Sequence, residues 1–207
     1  IPNYLMVPLA AKMIKKFGAR TTAIIAGVFG GVAYTLLFII GYHPFGQTFS
    51  ENYILNLIWV IFGLTICGLP NKLILVVGPV LNAETFDYME WKHGLRNEAL
   101  ITTVQGYFQK LATSITSWMS GMVLTWIHYV PLTDSLGNAV PQSDPAILNG
   151  IWAVFCLMPA LARGLYGLAF FLYPIHGNLK NQMIAELADI RANRLKEQEE
   201  AQKNANN

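Results

Sequence analysis

Charge is what this sequence has least of: Asp, Glu, Lys and Arg make up 13% of its 207 residues, about half the roughly 25% usual in soluble chains. Hydrophobic residues make up 54% and the mean hydropathy is +0.39, so a disordered chain and an ordinary water-soluble domain are both excluded. Cysteine is scarce as well. Cys67 and Cys156 both sit inside apolar runs, where a thiol behaves as a small buried hydrophobe, so neither a disulfide framework nor a zinc site is expected. A net charge of +2 gives no electrostatic footprint for a nucleic-acid partner. The chain lacks H-E-x-x-H, G-x-S-x-G and any paired carboxylate within an apolar run, and His43, His93, His128 and His176 lie at or outside the run ends. No catalytic residue, metal site or cofactor is therefore expected, and the chain does not read as an enzyme. No signal or transit peptide is visible, and the first residue is Ile1. Residues 1–11 are apolar yet would span only about 17 Å as a helix, so they read as the end of a truncated transmembrane helix.

Long apolar runs are abundant. Residues 22–42, 53–81, 99–129 and 147–173 are each long enough to cross about 30 Å of hydrocarbon. They are joined by connections at 12–21, 43–52, 82–98 and 130–146, and a tail follows at 174–207. Internal prolines such as Pro70 and Pro79 are tolerated in membrane helices when neighbours satisfy the freed carbonyls. Eleven of the fourteen Lys and Arg residues fall in 12–21, 82–98 and the tail, and none falls in 43–52 or 130–146. The positive-inside rule makes the first three segments cytoplasmic and the other two extracellular, which alternates correctly across all four full spans. In the tail, Leu179, Met183, Leu187 and Ile190 recur at helical spacing among charges, predicting an amphipathic, solvated or interface-lying helix. Gly27-x-x-x-Gly31 predicts a close helix contact.

The other three basic residues, Lys72, Lys110 and Arg163, lie within the spans, whereas every acidic residue lies at a span end, in a connection or in the tail. A charge at a helix centre costs about 2.5 to 3.5 kcal/mol on insertion scales, so each must face a cavity or find a partner. Lys72 has the alternative of snorkelling or of binding carbonyls freed by Pro70 and Pro79, and Arg163 that of a carbonyl or interhelical contact. Lys110 differs because of its setting. Thr102, Gly106, Gln109, Lys110, Thr113, Ser117, Ser120 and Gly121 share one face of about 120° on a 3.6-residue helix. Such a stripe lines a cavity or a tight helix contact. A dry contact would leave the lysine unpaired, which favours the cavity. Just before it, residues 84–98 hold a dense charged run that includes Glu84, Asp87, Glu90, Lys92, Arg96 and Glu98.

This charged run, followed by Gln105 and Lys110, resembles the glycoside-pentoside-hexuronide:cation symporter family, the melibiose permease-like branch of the major facilitator superfamily. The basic connection Pro8-Leu-Ala-Ala-Lys12-Met-Ile-Lys15-Lys16-Phe-Gly18-Ala-Arg20 is similar to the loop joining the eighth and ninth helices of such transporters. The resemblance implies an all-α integral membrane fold, with this chain supplying about helices eight to twelve of twelve. It implies secondary active symport of a sugar, glycoside or hexuronide with sodium or a proton by alternating access. The implied partners are the N-terminal half of the same transporter and the lipid of the cell (inner) membrane, with the C-terminus cytoplasmic. Lys110, with Gln109, Gln105 and Thr113 beside it, would lie near the substrate and cation site, Lys72 and Arg163 would be pathway charges, and Glu84, Asp87 and Arg96 would act in cytoplasmic gating. Two positions depart from the pattern: Glu84 stands where the family usually has Asp, and Leu75 stands where one member has a sugar-stacking Trp. A passive channel or a structural membrane protein is the alternative reading.

Overall fold

The computed structural model describes residue 4, residues 6–134 and residues 137–205. Six helices account for nearly all of them: α1 (Met6–Phe17), α2 (Ala19–Ile40), α3 (Tyr53–His93), α4 (Glu98–Trp126), α5 (Pro145–Phe171) and α6 (Gly177–Ala205). A two-residue antiparallel pairing of β1 (Leu132–Thr133) with β2 (Ala139–Val140) sits between α4 and α5. Three of the helices, α2, α3 and α5, are both long and apolar enough to cross a membrane, and the fold is that of an all-α integral membrane protein. The 29-residue α4 is long enough, but its hydroxyls, Gln105, Gln109 and Lys110 take it out of that apolar set. Four crossing runs were expected by length.

Two expected connections are helical instead. The stretch 82–98 was read as a loop from its charge density, yet α3 runs unbroken through Pro70 and Pro79 to His93. Charge does not terminate a helix, and nothing between Pro79 and Gly94 does. Gly94 then closes it in the left-handed region at φ 71°, with its N–H on the Glu90 carbonyl, as glycine at a helix C-terminus commonly does. At 41 residues, α3 is about 60 Å long, twice the hydrocarbon thickness, so its charged end projects beyond the lipid. Likewise the basic stretch 12–21 is mostly helix, broken only at Gly18 with φ +84°.

The core forms where α2 threads between α3 and α5. Its small residues Ala19, Ala23, Ala26, Gly27 and Gly30 are buried. Ala19 and Ala23 meet Val77 and Leu81 of α3, with Tyr166 and Phe170 of α5 alongside, and Leu37, Cys67 and Cys156 form a second cluster further along. Arg20 ties the same elements together at one end, donating to the Phe170 and Phe171 carbonyls at 2.9 and 2.7 Å. These carbonyls lie at the C-terminus of α5, where a cation is favoured.

The two glycines of the Gly27-x-x-x-Gly31 pattern are not equivalent. A Cβ at Gly27 would lie 2.6 Å from the Gly167 backbone and 2.9 Å from the Arg163 carbonyl, whereas one at Gly31 would meet its first neighbour at 3.4 Å. Gly27→Ala is therefore expected to destabilise the α2–α5 contact by about 1 to 3 kcal/mol, as overpacking does, while Gly31→Ala should be close to neutral. Thermal unfolding of the two variants in detergent checks this, and equal midpoints would contradict the crossing geometry.

Candidate functional site

Gly94 ends α3 and Asn97 starts α4, its side chain accepting from the Leu100 N–H at 3.1 Å. From there the polar stripe runs up a helix of which only Val123 is buried. Its hydroxyls are satisfied locally: Thr102, Thr113 and Ser120 each donate to the carbonyl four residues back, at 2.8 to 2.9 Å, which is how such side chains reside in a membrane helix. Lys110 has no such outlet. Its side chain is exposed and makes no ion pair with the described residues. Gln109 and Thr113 are exposed beside it, and Gln105 reaches across to α3, donating to Asn82 Oδ1 at 3.0 Å. The lysine face of α4 is thus open to whatever covers this side of the chain.

The other two cations singled out in the apolar runs, Arg163 and Lys72, are engaged. Arg163 donates to the side-chain oxygen of Asn71 on α3, and its methylenes lie 3.2 to 3.3 Å from where a Cβ of Gly30 would be. The glycine leaves room for the stem, and the amide takes the guanidinium. Lys72 places its ammonium 4.3 Å from the centroid of the Tyr4 ring, a cation–π contact that offsets part of its desolvation. Neither reaches Lys110 through any contact within the described residues.

The projecting end of α3 meets α6 in a dense charge cluster. Glu84 binds Lys180. Asp87 accepts from Arg191 at 2.7 Å and lies 3.6 Å from Arg96. Glu90, 5% exposed, takes Arg191 at 2.5 Å, Arg194 at 3.1 Å and Arg96 at 3.8 Å. The hydrogen bond from Arg191 holds the Glu90 carboxyl below the usual glutamate range against the opposing effect of burial, and the same carboxyl raises the Arg191 guanidinium. Arg194 also donates to the Gly94 carbonyl at 2.6 Å, and Arg96 pairs with Glu98 at 2.5 Å. Beneath the charges, Met183 and Leu187 are buried with Ile175 against Tyr88 and Trp91, and Trp91 donates to Glu186 at 2.5 Å. The amphipathic face of the tail thus has a seat within the chain. Glu90, Lys180, Arg191 and Arg194 were missed as site residues. Their signal is the three-residue spacing of Glu84, Asp87 and Glu90, which on a continuous helix brings three acids to one side.

The described residues form a helical membrane bundle with an exposed lysine on a polar stripe and a charge cluster at one end. The chain matches the model of the MFS/sugar transport protein family over residues 1–177, and it belongs to that family. It is 30% identical over 186 residues to the uncharacterized symporter YjmB of Bacillus subtilis (strain 168), covering 89% of this chain and 36% of that protein. It is 28% identical over 126 residues to the isoprimeverose transporter of Lactiplantibacillus pentosus, covering 61% and 22%. It is also 34% identical over 76 residues to a candidate sulfoquinovose importer of Escherichia coli (strain K12), covering 37% and 15%. The chain therefore spans about a third or less of the length of these relatives. No solved structure matches it significantly.

Proposed function

We propose that this chain is the C-terminal part, about helices eight to twelve, of a twelve-helix secondary transporter that moves a sugar, glycoside or hexuronide together with sodium or a proton by alternating access. The carrying observation is the open face of α4, where a lysine sits on a polar stripe that no described residue neutralises. An ammonium in the membrane needs carboxylates or an anionic ligand opposite it. In this reading they come from the N-terminal half and from the substrate, with Gln105, Gln109 and Thr113 supplying hydrogen bonds to hydroxyls. Lys72 and Arg163 take lesser parts, because each already has a partner. The charge cluster of Glu84, Asp87 and Arg96 lies on the cytoplasmic side and acts in gating, the tail arginines competing with the other half for the same acids. The protein sits in the cell membrane with its C-terminus inside, and is not an enzyme.

The similarity to proteins named for the transport of isoprimeverose and of sulfoquinovose supports a carbohydrate cargo and leaves its charge to experiment. Membrane vesicles holding the whole carrier should accumulate labelled isoprimeverose or glucuronate against its gradient. Unlabelled uronic and neutral sugars compete to different extents. Competition by uronic compounds alone supports an anionic cargo, whose carboxylate would face Lys110, and failure of every uronic compound removes the anionic version. Steady flux with no accumulation would favour the passive-channel alternative.

A further inference from the structure

The end of the bundle opposite the charge cluster holds a cavity of about 840 Å3, within the range usual for small-molecule sites. Two segments distant in sequence build it: residues 42–53, up to the start of α3, contribute Tyr42, Phe49 and Tyr53, and residues 142–149, into the first turns of α5, contribute Gln142, Ser143 and Asn149. The rings form one wall, Phe49 lying 6.3 Å from Tyr42 and 5.5 Å, edge-on, from Tyr53. Tyr42 is fixed in place. Its hydroxyl donates to Asn149 Oδ1 at 3.1 Å, His43 packs against its ring at 4.4 Å, and Trp152 lies 5.5 Å away. Gln142 stiffens the other wall, its side-chain oxygen accepting from the backbone of Ser143 and Asp144 at 3.0 and 3.2 Å. The Ser143 hydroxyl, the Tyr53 hydroxyl and the Asn149 amino group remain without a hydrogen bond to the described residues. No Lys, Arg, Asp or Glu lines the cavity.

This chemistry selects a ligand class. A carboxylate or phosphate would find no Lys or Arg here, His43 being turned against the Tyr42 ring, and a wholly apolar ligand would leave the amide and hydroxyls unpaired. A neutral polyhydroxylated ring fits both walls, its C–H face on the aromatics and its hydroxyls on Asn149 and Ser143. The second large cavity, about 820 Å3 between α2 and α5, is lined by side chains such as Val28, Leu36, Leu161 and Leu168 and lacks that polar set. We propose that the aromatic cavity is a peripheral capture site for a neutral sugar or glycoside, separate from the Lys110 face. Its use from outside the cell rests on the proposed orientation, in which the lysine-free connections are extracellular.

A free sugar and a glycolipid headgroup share this chemistry, so the test separates them. Ser143→Cys is introduced into the full-length carrier, with its other accessible cysteines replaced, in phosphatidylcholine discs free of glycoside detergent. Labelling by a membrane-impermeant maleimide is followed with methyl glucoside or glucuronate as probe. Methyl glucoside should slow labelling roughly tenfold at ten times its dissociation constant, by occupancy alone, and glucuronate should not. Phe49→Ala and Asn149→Leu should each abolish the protection, and Lys110→Ala should leave it. Absence of protection overturns the site, and so does its loss in Lys110→Ala, which would mean that the sugar acts from the transport pathway. Protection by a glucosyl diacylglycerol in the discs but not by methyl glucoside overturns the free-sugar occupant. Labelling confined to the inner face of right-side-out vesicles contradicts the orientation and the capture role, while protection still scores binding to the cavity.

Discussion

Replacing Lys110 by alanine in the full-length carrier should lower gradient-driven sugar accumulation by about 5-fold to 150-fold, the range of a typical coupling free energy between two sites. Insertion should not suffer, because removing a charge from a helix centre lowers the insertion cost by about 2.5 to 3.5 kcal/mol. The loss follows from the position of Lys110, exposed on the polar stripe of a helix that the rest of the chain leaves almost uncovered. Lys110→Arg should fail substantially too, since a planar fork does not replace a compact ammonium in a confined site. Arg163→Ala should behave differently. It removes a bond to Asn71 and packing against Gly30, so it should lower thermal stability more than it alters ion dependence. Normal accumulation in Lys110→Ala would make the lysine structural.

The second large effect is expected at Glu90. One carboxylate joins Arg191, Arg194 and Arg96 to α3, and Glu90→Gln would leave three clustered guanidiniums with a neutral acceptor. Hydrogen bonds to a charged group contribute about 1.5 to 3 kcal/mol. Because the arginines are 42 to 44% exposed, solvent screening places the loss in the lower part of that range. The tail should then detach more often, although Met183 and Leu187 still favour docking, seen as faster amide exchange along α6 and earlier proteolysis after Lys196. The sign of the pH effect follows from the depressed Glu90 carboxyl. A carboxylate with a folded value below its unfolded one stabilises fully above the unfolded value of about 4.3, and loses that contribution as pH falls through the folded value. Docking should therefore be unchanged between neutral pH and mild acid, weakening only below the ordinary glutamate range. Weakening that began near pH 6 would point to a different group.

The apolar runs made α2, α3 and α5 legible from residue types alone, and the periodic hydroxyls made the stripe on α4 legible too. The charged stretch 84–93 was not, because charge density resembles a loop while the helix-breaking residues that would confirm one are missing until Gly94. That difference matters for the site: a loop would scatter Glu84, Asp87 and Glu90, whereas the helix aligns them toward α6. The amphipathic pattern of Leu179, Met183 and Leu187 announced an apolar face, read as solvated or lying at the membrane interface. Its seat on Tyr88 and Trp91 lies about a hundred residues away, beyond what periodicity can register. The same holds for Arg163 and Asn71, 92 residues apart. Lys110 was recognisable because its signal is local: the polar residues that share its helix face lie within about eleven positions of it in the sequence.

The most direct test of the link between ion and sugar at Lys110 is equilibrium binding of the sugar to the full-length carrier, titrated across sodium concentration and then across pH. Sugar affinity is expected to rise with one of the two ions by about 5-fold to 150-fold, with the ion's affinity rising by the same factor when sugar is present, and Lys110→Ala is expected to flatten that dependence. Sugar affinity that is the same at every sodium concentration and pH, or an ion dependence that survives intact in Lys110→Ala, would contradict it.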